Sequence, residues 1–172
     1  AGFQTYIFVP ARAPKGKVAQ LMIFGATVIS VDGSYEDTFE LSQAYPLFWD
    51  KYERANWFFE NIIATAGEEL TSREVAYLLA DPLCDGGQWD MFRSLVKKYG
   101  VVPKEVMPET AASSSTREII GYLTEKLREF ACTLRTAYQN GASMEALRAK
   151  KDDMMQTIYN MLCISLGKPP VK

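Results

Sequence analysis

The sequence predicts an α+β chain that is mostly α-helical and opens with one small βαβ unit. Three observations carry this. Two short apolar runs, the second rich in β-branched residues, bracket an amphipathic stretch within the first forty residues. From about Phe39 onward the apolar residues recur at helical spacing. The last sixty or so residues form two long amphipathic stretches joined at Asn140-Gly141, the pattern of an antiparallel αα-hairpin.

Tyr6-Ile7-Phe8-Val9 reads as a buried parallel strand. Lys15 to Phe24 puts Val18, Leu21 and Met22 on one helical face, and Gly25 stops it. Thr27 to Val31 is the second strand, and Asp32-Gly33-Ser34 is a turn. Leu41 to Ala66 is aromatic-rich. Pro46 would cost about 3 kcal/mol inside a helix, so the regular helix is expected to start near it. Gly67 is expected to end that helix. Thr71-Ser72-Arg73-Glu74 has the form of a capping box opening a helix to about Ala80. Gln88 to Tyr99 is a helix with an apolar stripe of Met91, Phe92, Leu95, Val96 and Tyr99, capped by Gly100. Pro103 and Pro108 make Val101 to Glu109 extended. Ala111 to Ser115 is a polar linker. Two helices follow, from Ser115 or Thr116 to Tyr138 and from about Ser143 to Leu166. Leu147, Met154, Ile158, Met161 and Leu162 are expected to face inward from the second.

Composition narrows the chemistry. The chain has 172 residues, 48% apolar, with 19 basic against 21 acidic residues and a net charge of −2. This gives no electrostatic case for nucleic acid or an anionic membrane. There is no histidine, which removes a Ser-His-Asp triad, a Cys-His dyad and every His-ligated metal site within these residues. Cys84, Cys132 and Cys163 are too few and too scattered for a disulfide framework and suit a reducing, cytoplasmic setting. Cys132 and Cys163 read as small core residues. No apolar run is long enough to span a membrane. The first residues lack the basic and apolar regions of a signal peptide. Asp152-Asp153 are adjacent on a helix and do not face one another. Lys97, Lys98 and Lys104 read as a solvated face.

The strings FELSQAYPLFWDKYERANWFFENII (39–63), DPLCDGGQWDMFRSLVKKYGVVPKEVMPET (81–110), TEKLREFACTLR (124–135) and MLCISLGKPP (161–170) resemble, in order, the bleomycin hydrolase and bacterial aminopeptidase C family. The resemblance implies part of a papain-like left domain carrying the long αα-hairpin. It also implies a cysteine aminopeptidase acting on peptide amino termini, and a homo-oligomer, since members typically form hexameric barrels. TYIFVPARAPKGKVAQL and GATVISVDGSYEDT (within 1–39) instead resemble the amino-terminal domain of threonine synthase, a pyridoxal-phosphate enzyme. The two folds are unrelated. The order of strings therefore reads as a chimera of generated, engineered or rearranged origin, with a threonine-synthase-like βαβ segment at 1–39 and a bleomycin-hydrolase-like helical segment at 40–172.

The papain-like resemblance places the nucleophilic Cys and the oxyanion Gln upstream of the FELSQ-like string, and the His and Asn beyond Lys172. No catalytic residue is assigned, and the chain is expected to be inactive alone. Cys84 has no His to act as its base, and a free thiol has a pKa of about 8.5, so it reads as a passenger. Asp85, Gly86, Gly87 and Gln88 are the substrate-binding candidates, because papain-like enzymes use a Gly-Gly pair there to let a substrate backbone approach. The competing reading is that these glycines only shape the turn before the next helix. The alternative, a pyridoxal-phosphate lyase fragment, lacks both the aldimine lysine and the phosphate loop, so neither cofactor nor metal is expected. A third reading is a non-enzymatic helical module that self-associates through its apolar faces.

Overall fold

The structure is a computed structural model and describes residues 5–32, 41–83 and 86–170. Its first three elements are β1 (Thr5–Pro10), α1 (Lys15–Ile23) and β2 (Ala26–Val31). The strands pair in parallel, from Thr5 opposite Ala26 to Pro10 opposite Val31. Gly25 ends α1 at φ +80°, a conformation that disfavours a Cβ, and its N–H donates to the Met22 carbonyl at 2.9 Å. Val18 and Leu21 are half-buried, but Met22 is exposed, because two strands are too narrow to cover the whole helix face. Gly33 and Ser34 of the expected turn lie outside the described residues.

Among the described residues six helices follow: α2 (Ala44–Ala64), α3 (Arg73–Ala80), α4 (Trp89–Tyr99), α5 (Ala111–Ser114), α6 (Arg117–Gln139) and α7 (Met144–Leu166). The core is a three-helix packing of α2 against α6 and α7. Phe48, Phe58, Phe59 and Ile62 of α2 meet Leu123, Leu127 and Leu134 of α6 and Leu147, Ile158 and Leu162 of α7, all fully buried. Burying each such side chain contributes about 1.5–3 kcal/mol. Across this interface Lys151 Nζ donates to Glu60 Oε1 at 2.6 Å and to Asn56 Oδ1 at 3.0 Å.

The amino end of α2 is satisfied from afar. Glu109 Oε1 accepts the Gln43 N–H at 2.6 Å and the Ala44 N–H at 3.3 Å. Ser42 Oγ accepts the Tyr45 N–H at 3.1 Å. The next residue is Pro46, which has no N–H to satisfy. The first helical turn is therefore closed without an unpaired donor, and the carboxylate faces the positive end of the helix dipole. At the other end, the guanidinium of Arg135, only 6% exposed, donates to the Thr65 carbonyl at 2.9 Å and to the Glu68 carbonyl. Arg128, two turns earlier on α6, donates to the Leu79 and Ala80 carbonyls at 2.9 Å each and closes α3.

The αα-hairpin of α6 and α7 turns as expected at Asn140-Gly141. Gly141 has φ +85°, its N–H donates to Tyr138, and the Ala142 N–H donates to Ala137. Those two bonds form a Schellman motif. The hairpin lies along α2 rather than projecting.

Several local expectations change. α2 starts at Ala44, two residues before Pro46, and ends at Ala64 rather than Gly67. Ser72 caps α3 by accepting from Val75 N, which shifts the cap by one residue and removes Glu74 from the box. Val101–Glu109 is not simply extended. Pro103 pairs with Leu41 and then opens a turn in which Val106 N donates to the Pro103 carbonyl at 3.0 Å. The polar linker at 111–115 contains the short helix α5, where Thr110 and Ser113 form a capping box. No side chain of α4 is buried, although its apolar stripe is sharply defined. Cys132 is exposed, not a core residue, while Cys163 packs half-buried against the core.

The capping of α2 is testable. Burial opposes ionisation of Glu109, but bonds from Ser113, Gln43 and Ala44 outweigh it and hold its pKa below the ordinary value of 4.5. A depressed carboxylate contributes stability above that value and loses it as pH falls through the folded-state pKa. Glu109→Ala is expected to lower unfolding free energy by about 0.5–2 kcal/mol at neutral pH. Denaturant midpoints measured at descending pH should show the gap to the parent chain closing below about pH 4.5.

Candidate functional site

The expected substrate-binding segment sits between α3 and α4. Asp85, like Cys84, lies outside the described residues. Gly86, Gly87 and Gln88 are all exposed, and they continue into α4 with Gln88 as its N-cap residue. Just upstream, Pro82 and Leu83 are buried and anchor the segment in the core. Gln88 has extended backbone, with φ −98° and ψ 155°, and its side chain makes no capping bond. Neither glycine adopts left-handed backbone. A conformational need for glycine therefore does not explain the pair.

A second anchor comes from α2. Asp50 and Arg54 are one turn apart, and Arg54 Nε donates to both Asp50 oxygens at 2.9 Å. The same guanidinium also reaches across: Arg54 Nη2 donates to the Gly86 carbonyl at 2.6 Å. Lys51, almost fully buried, places its Nζ 3.3 Å from Asp50 Oδ2. The two glycines differ in their surroundings. A Cβ on Gly87 would stand 3.3 Å from Arg54 Nη2, whereas a Cβ on Gly86 would meet nothing within 4 Å.

Two concavities flank the segment. One, about 430 Å³, lies between α2 and α4 and is lined by Leu47, Arg54, Gly87, Gln88, Phe92 and Leu95 among others. The other, about 680 Å³, runs towards α3 and is lined by Trp57, Tyr77, Leu78, Asp81, Met91 and Leu95 among others. Met91, Phe92 and Leu95 of the α4 stripe therefore face open grooves rather than packed core, which accounts for the exposure of Met91 and Phe92. Trp89 is 62% exposed beside them.

At the far end, α4 is tied down by Tyr99, whose ring stacks on Trp49 with centroids 3.9 Å apart. The Tyr99 carbonyl accepts from Tyr45 OH at 2.8 Å. Tyr99 OH also donates to Glu53 Oε1, and Lys98 Nζ donates to the same oxygen at 2.5 Å. Burial pushes the Glu53 pKa up, but these two bonds prevail and hold it below its ordinary value. Burial and the bond to Glu53 push the Tyr99 phenol up to about 12. Among the described residues, no group of three or more His, Cys, Asp or Glu side chains is placed to hold a metal ion. No helix there is long and apolar enough to cross a membrane.

Sequence reading found the glycine segment but missed Asp50, Arg54 and Glu109. The Asp50–Arg54 spacing was visible as a helical ion pair. Its link to Gly86, 32 residues away, was not.

The model of the Peptidase C1-like family matches residues 29–172, and the chain belongs to that family. The match begins inside β2, ahead of the boundary expected near residue 39. Aminopeptidase C of Streptococcus thermophilus is 54% identical over 134 residues, covering 78% of this chain and 30% of that protein. Aminopeptidase C of Lactobacillus delbrueckii subsp. lactis is 48% identical over 132 residues, covering 77% of this chain and 29% of that protein. Bleomycin hydrolase of Oryctolagus cuniculus is 43% identical over 136 residues, covering 78% and 49%. The crystal structure of pepw from Lactobacillus rhamnosis HN001 superimposes with a TM-score of 0.74 at 51% identity, covering 77% of this chain and 30% of that one. The chain thus spans about 30% of the length of its aminopeptidase C relatives.

The Tyr99–Glu53 link has a spectroscopic consequence. A phenol with a raised pKa contributes stability below its ordinary value of 10.0, and that contribution is lost as pH rises towards about 12. Glu53→Gln is expected to move one tyrosine ionisation downward in an ultraviolet absorbance titration, and Tyr99→Phe to remove that same step. An unchanged titration in Glu53→Gln would show that Glu53 does not hold the phenol.

Proposed function

We propose that the chain is a segment of a papain-like cysteine aminopeptidase that contributes a peptide-binding edge and not a complete catalytic centre. The observation that carries this is the exposed segment Gly86–Gln88, where a Cβ on Gly86 would meet nothing within 4 Å. An extended peptide can lie along such an edge through main-chain hydrogen bonds. The flanking grooves offer apolar surface for its side chains. Asp85 belongs to the proposed edge by its position in sequence. The family membership and the aminopeptidase relatives support a peptide with a free amino terminus as the ligand class.

Thiol peptidase chemistry needs a base for the nucleophile, and these 172 residues contain no histidine. The chain by itself is therefore inactive in this reading. A separate front segment over residues 1–39 rests on the resemblance to threonine synthase alone, and the family match begins within it, at residue 29. A cytoplasmic setting is supported by the free thiols of Cys132 and Cys163. The exposed apolar stripe of α4 supports self-association, which light scattering over a concentration series would detect.

Titration of the isotope-labelled chain with trialanine is expected to shift the amide resonances of Gly86, Gly87 and Gln88 first. Acetylated trialanine should bind more weakly. Shifts elsewhere, or none, would overturn the assignment of the edge. An aminoacyl-fluorophore assay should show no thiol-dependent turnover. Turnover abolished by Cys84→Ser would contradict the inactive reading.

A further inference from the structure

We propose that Asn140 is a site of backbone-driven deamidation, and that the turn between α6 and α7 holds the reaction off while the hairpin is closed. Conversion of this neutral amide to a carboxylate then follows opening of the hairpin.

The sequence supplies the reactants. Of the chain's asparagines, only Asn140 has glycine after it. Asn56 and Asn61 lie within α2, Asn160 lies within α7, and bulkier residues follow each of them. Glycine has no Cβ to crowd its own nitrogen and gives the backbone its widest freedom. In the reaction the Gly141 backbone nitrogen, having lost its proton to hydroxide, attacks Cγ of Asn140. An N–Cγ bond forms, the Cγ–Nδ2 bond breaks, and Nδ2 takes up a proton and leaves as ammonia. Water then opens the cyclic imide at either carbonyl. One opening gives aspartate, and the other gives isoaspartate, in which the main chain runs through the side-chain carbon. Asn140 and Gly141 are both exposed, so hydroxide and water reach them.

The folded turn withholds both the nucleophile and the geometry. The Gly141 N–H donates to the Tyr138 carbonyl at 2.9 Å, so removing its proton costs that bond. Asn140 has φ −83° and ψ 10°, which sets the Gly141 nitrogen almost eclipsed with Asn140's own nitrogen. The ring needs it eclipsed with Cβ instead. At a tetrahedral Cα these are different positions, and only rotation of ψ connects them. That rotation would carry away the Gly141 N–H and the Ala142 N–H, which donates to the Ala137 carbonyl at 3.0 Å. Ring closure therefore requires the end of the hairpin to open first, a local unfolding step. The products do not fit back as well. Aspartate would place a negative charge at the carboxyl end of α6, the negative end of its dipole. Isoaspartate would lengthen the main chain inside a turn closed by two short-range bonds.

The test incubates the full chain in buffer and in urea, and follows by mass spectrometry the fragment 136–148 that trypsin releases after Arg135 and Arg148. Deamidation reads as a gain in mass of that fragment, and isoaspartate as its second chromatographic peak. Conversion in urea is expected to be at least about tenfold faster than in buffer. Hydrogen exchange at the Gly141 amide should be slowed in the folded chain by a comparable factor. Ala142→Pro removes the donor to Ala137 and is expected to speed conversion in buffer while the helical signal persists. Asn140→Asp should melt at a lower temperature than the uncharged Asn140→Ser. Equal conversion in buffer and urea would overturn the proposal, as would slow conversion in buffer with an unprotected Gly141 amide. Absence of conversion in urea would overturn it too, because the site would then be unreactive even when open. If Ala142→Pro does not melt cooperatively, the exchange comparison on the parent chain decides.

Discussion

Helix α2 is held between opposite charges brought from distant parts of the chain. Glu109 closes its amino end, and Arg135 closes the turn beyond its carboxyl end. Both signs complement the helix dipole. Both groups also remove polar backbone atoms from the list of unsatisfied ones, which matters because residues 42, 44, 45 and 65 are buried. Most of the stability of a helix such as this one, 21 residues long, comes from tertiary packing of one face rather than from intrinsic propensity. Its length is fixed here by tertiary contacts, and its rotation by the aromatic face packed on α6 and α7.

Everything proposed for function is mounted on that helix. Asp50 and Arg54 hold the Gly86 carbonyl, Glu53 ties down the end of α4, and Trp49 stacks on Tyr99. The glycine segment is exposed, yet Arg54 holds it through the Gly86 carbonyl. This is how a loop can offer main-chain groups to a ligand without losing its own geometry: the precision lies in the scaffold beneath it. The same arrangement leaves Met91, Phe92 and Leu95 of the α4 stripe facing open grooves. The chain spans about 30% of its aminopeptidase C relatives, and a surface of that kind fits a segment of a larger fold.

Local pattern made much of this readable in advance. The β-branched runs, the helical periodicity of 117–166 and the Asn140-Gly141 turn depend on near neighbours, and the structure keeps all three. Glycine segment 86–87 was readable through its resemblance to papain-like enzymes. What sequence alone missed acts across long separations. Glu109 looked like the end of an extended stretch and proved to be the cap of a helix more than sixty residues earlier. Nothing in the local pattern marks Arg135, a charge on an amphipathic helix, as buried. The α4 stripe was readable as amphipathic, but periodicity reports that a face is apolar and not that a partner is present to cover it. Cys132 failed for a related reason, since one position on a helix decides between core and solvent.

The central claim is that α2, α6 and α7 form a core that stands within this chain and positions the glycine strand. The most direct measurement is a thermal melt of the pure chain followed by near-ultraviolet circular dichroism, where Trp49, Tyr99 and the buried phenylalanines report fixed packing. The account predicts one cooperative transition in which the near-ultraviolet signal and the helical signal are lost together. A broad loss of helix with no near-ultraviolet signal at the start would contradict it, because helices without fixed packing could not hold Arg54 against Gly86.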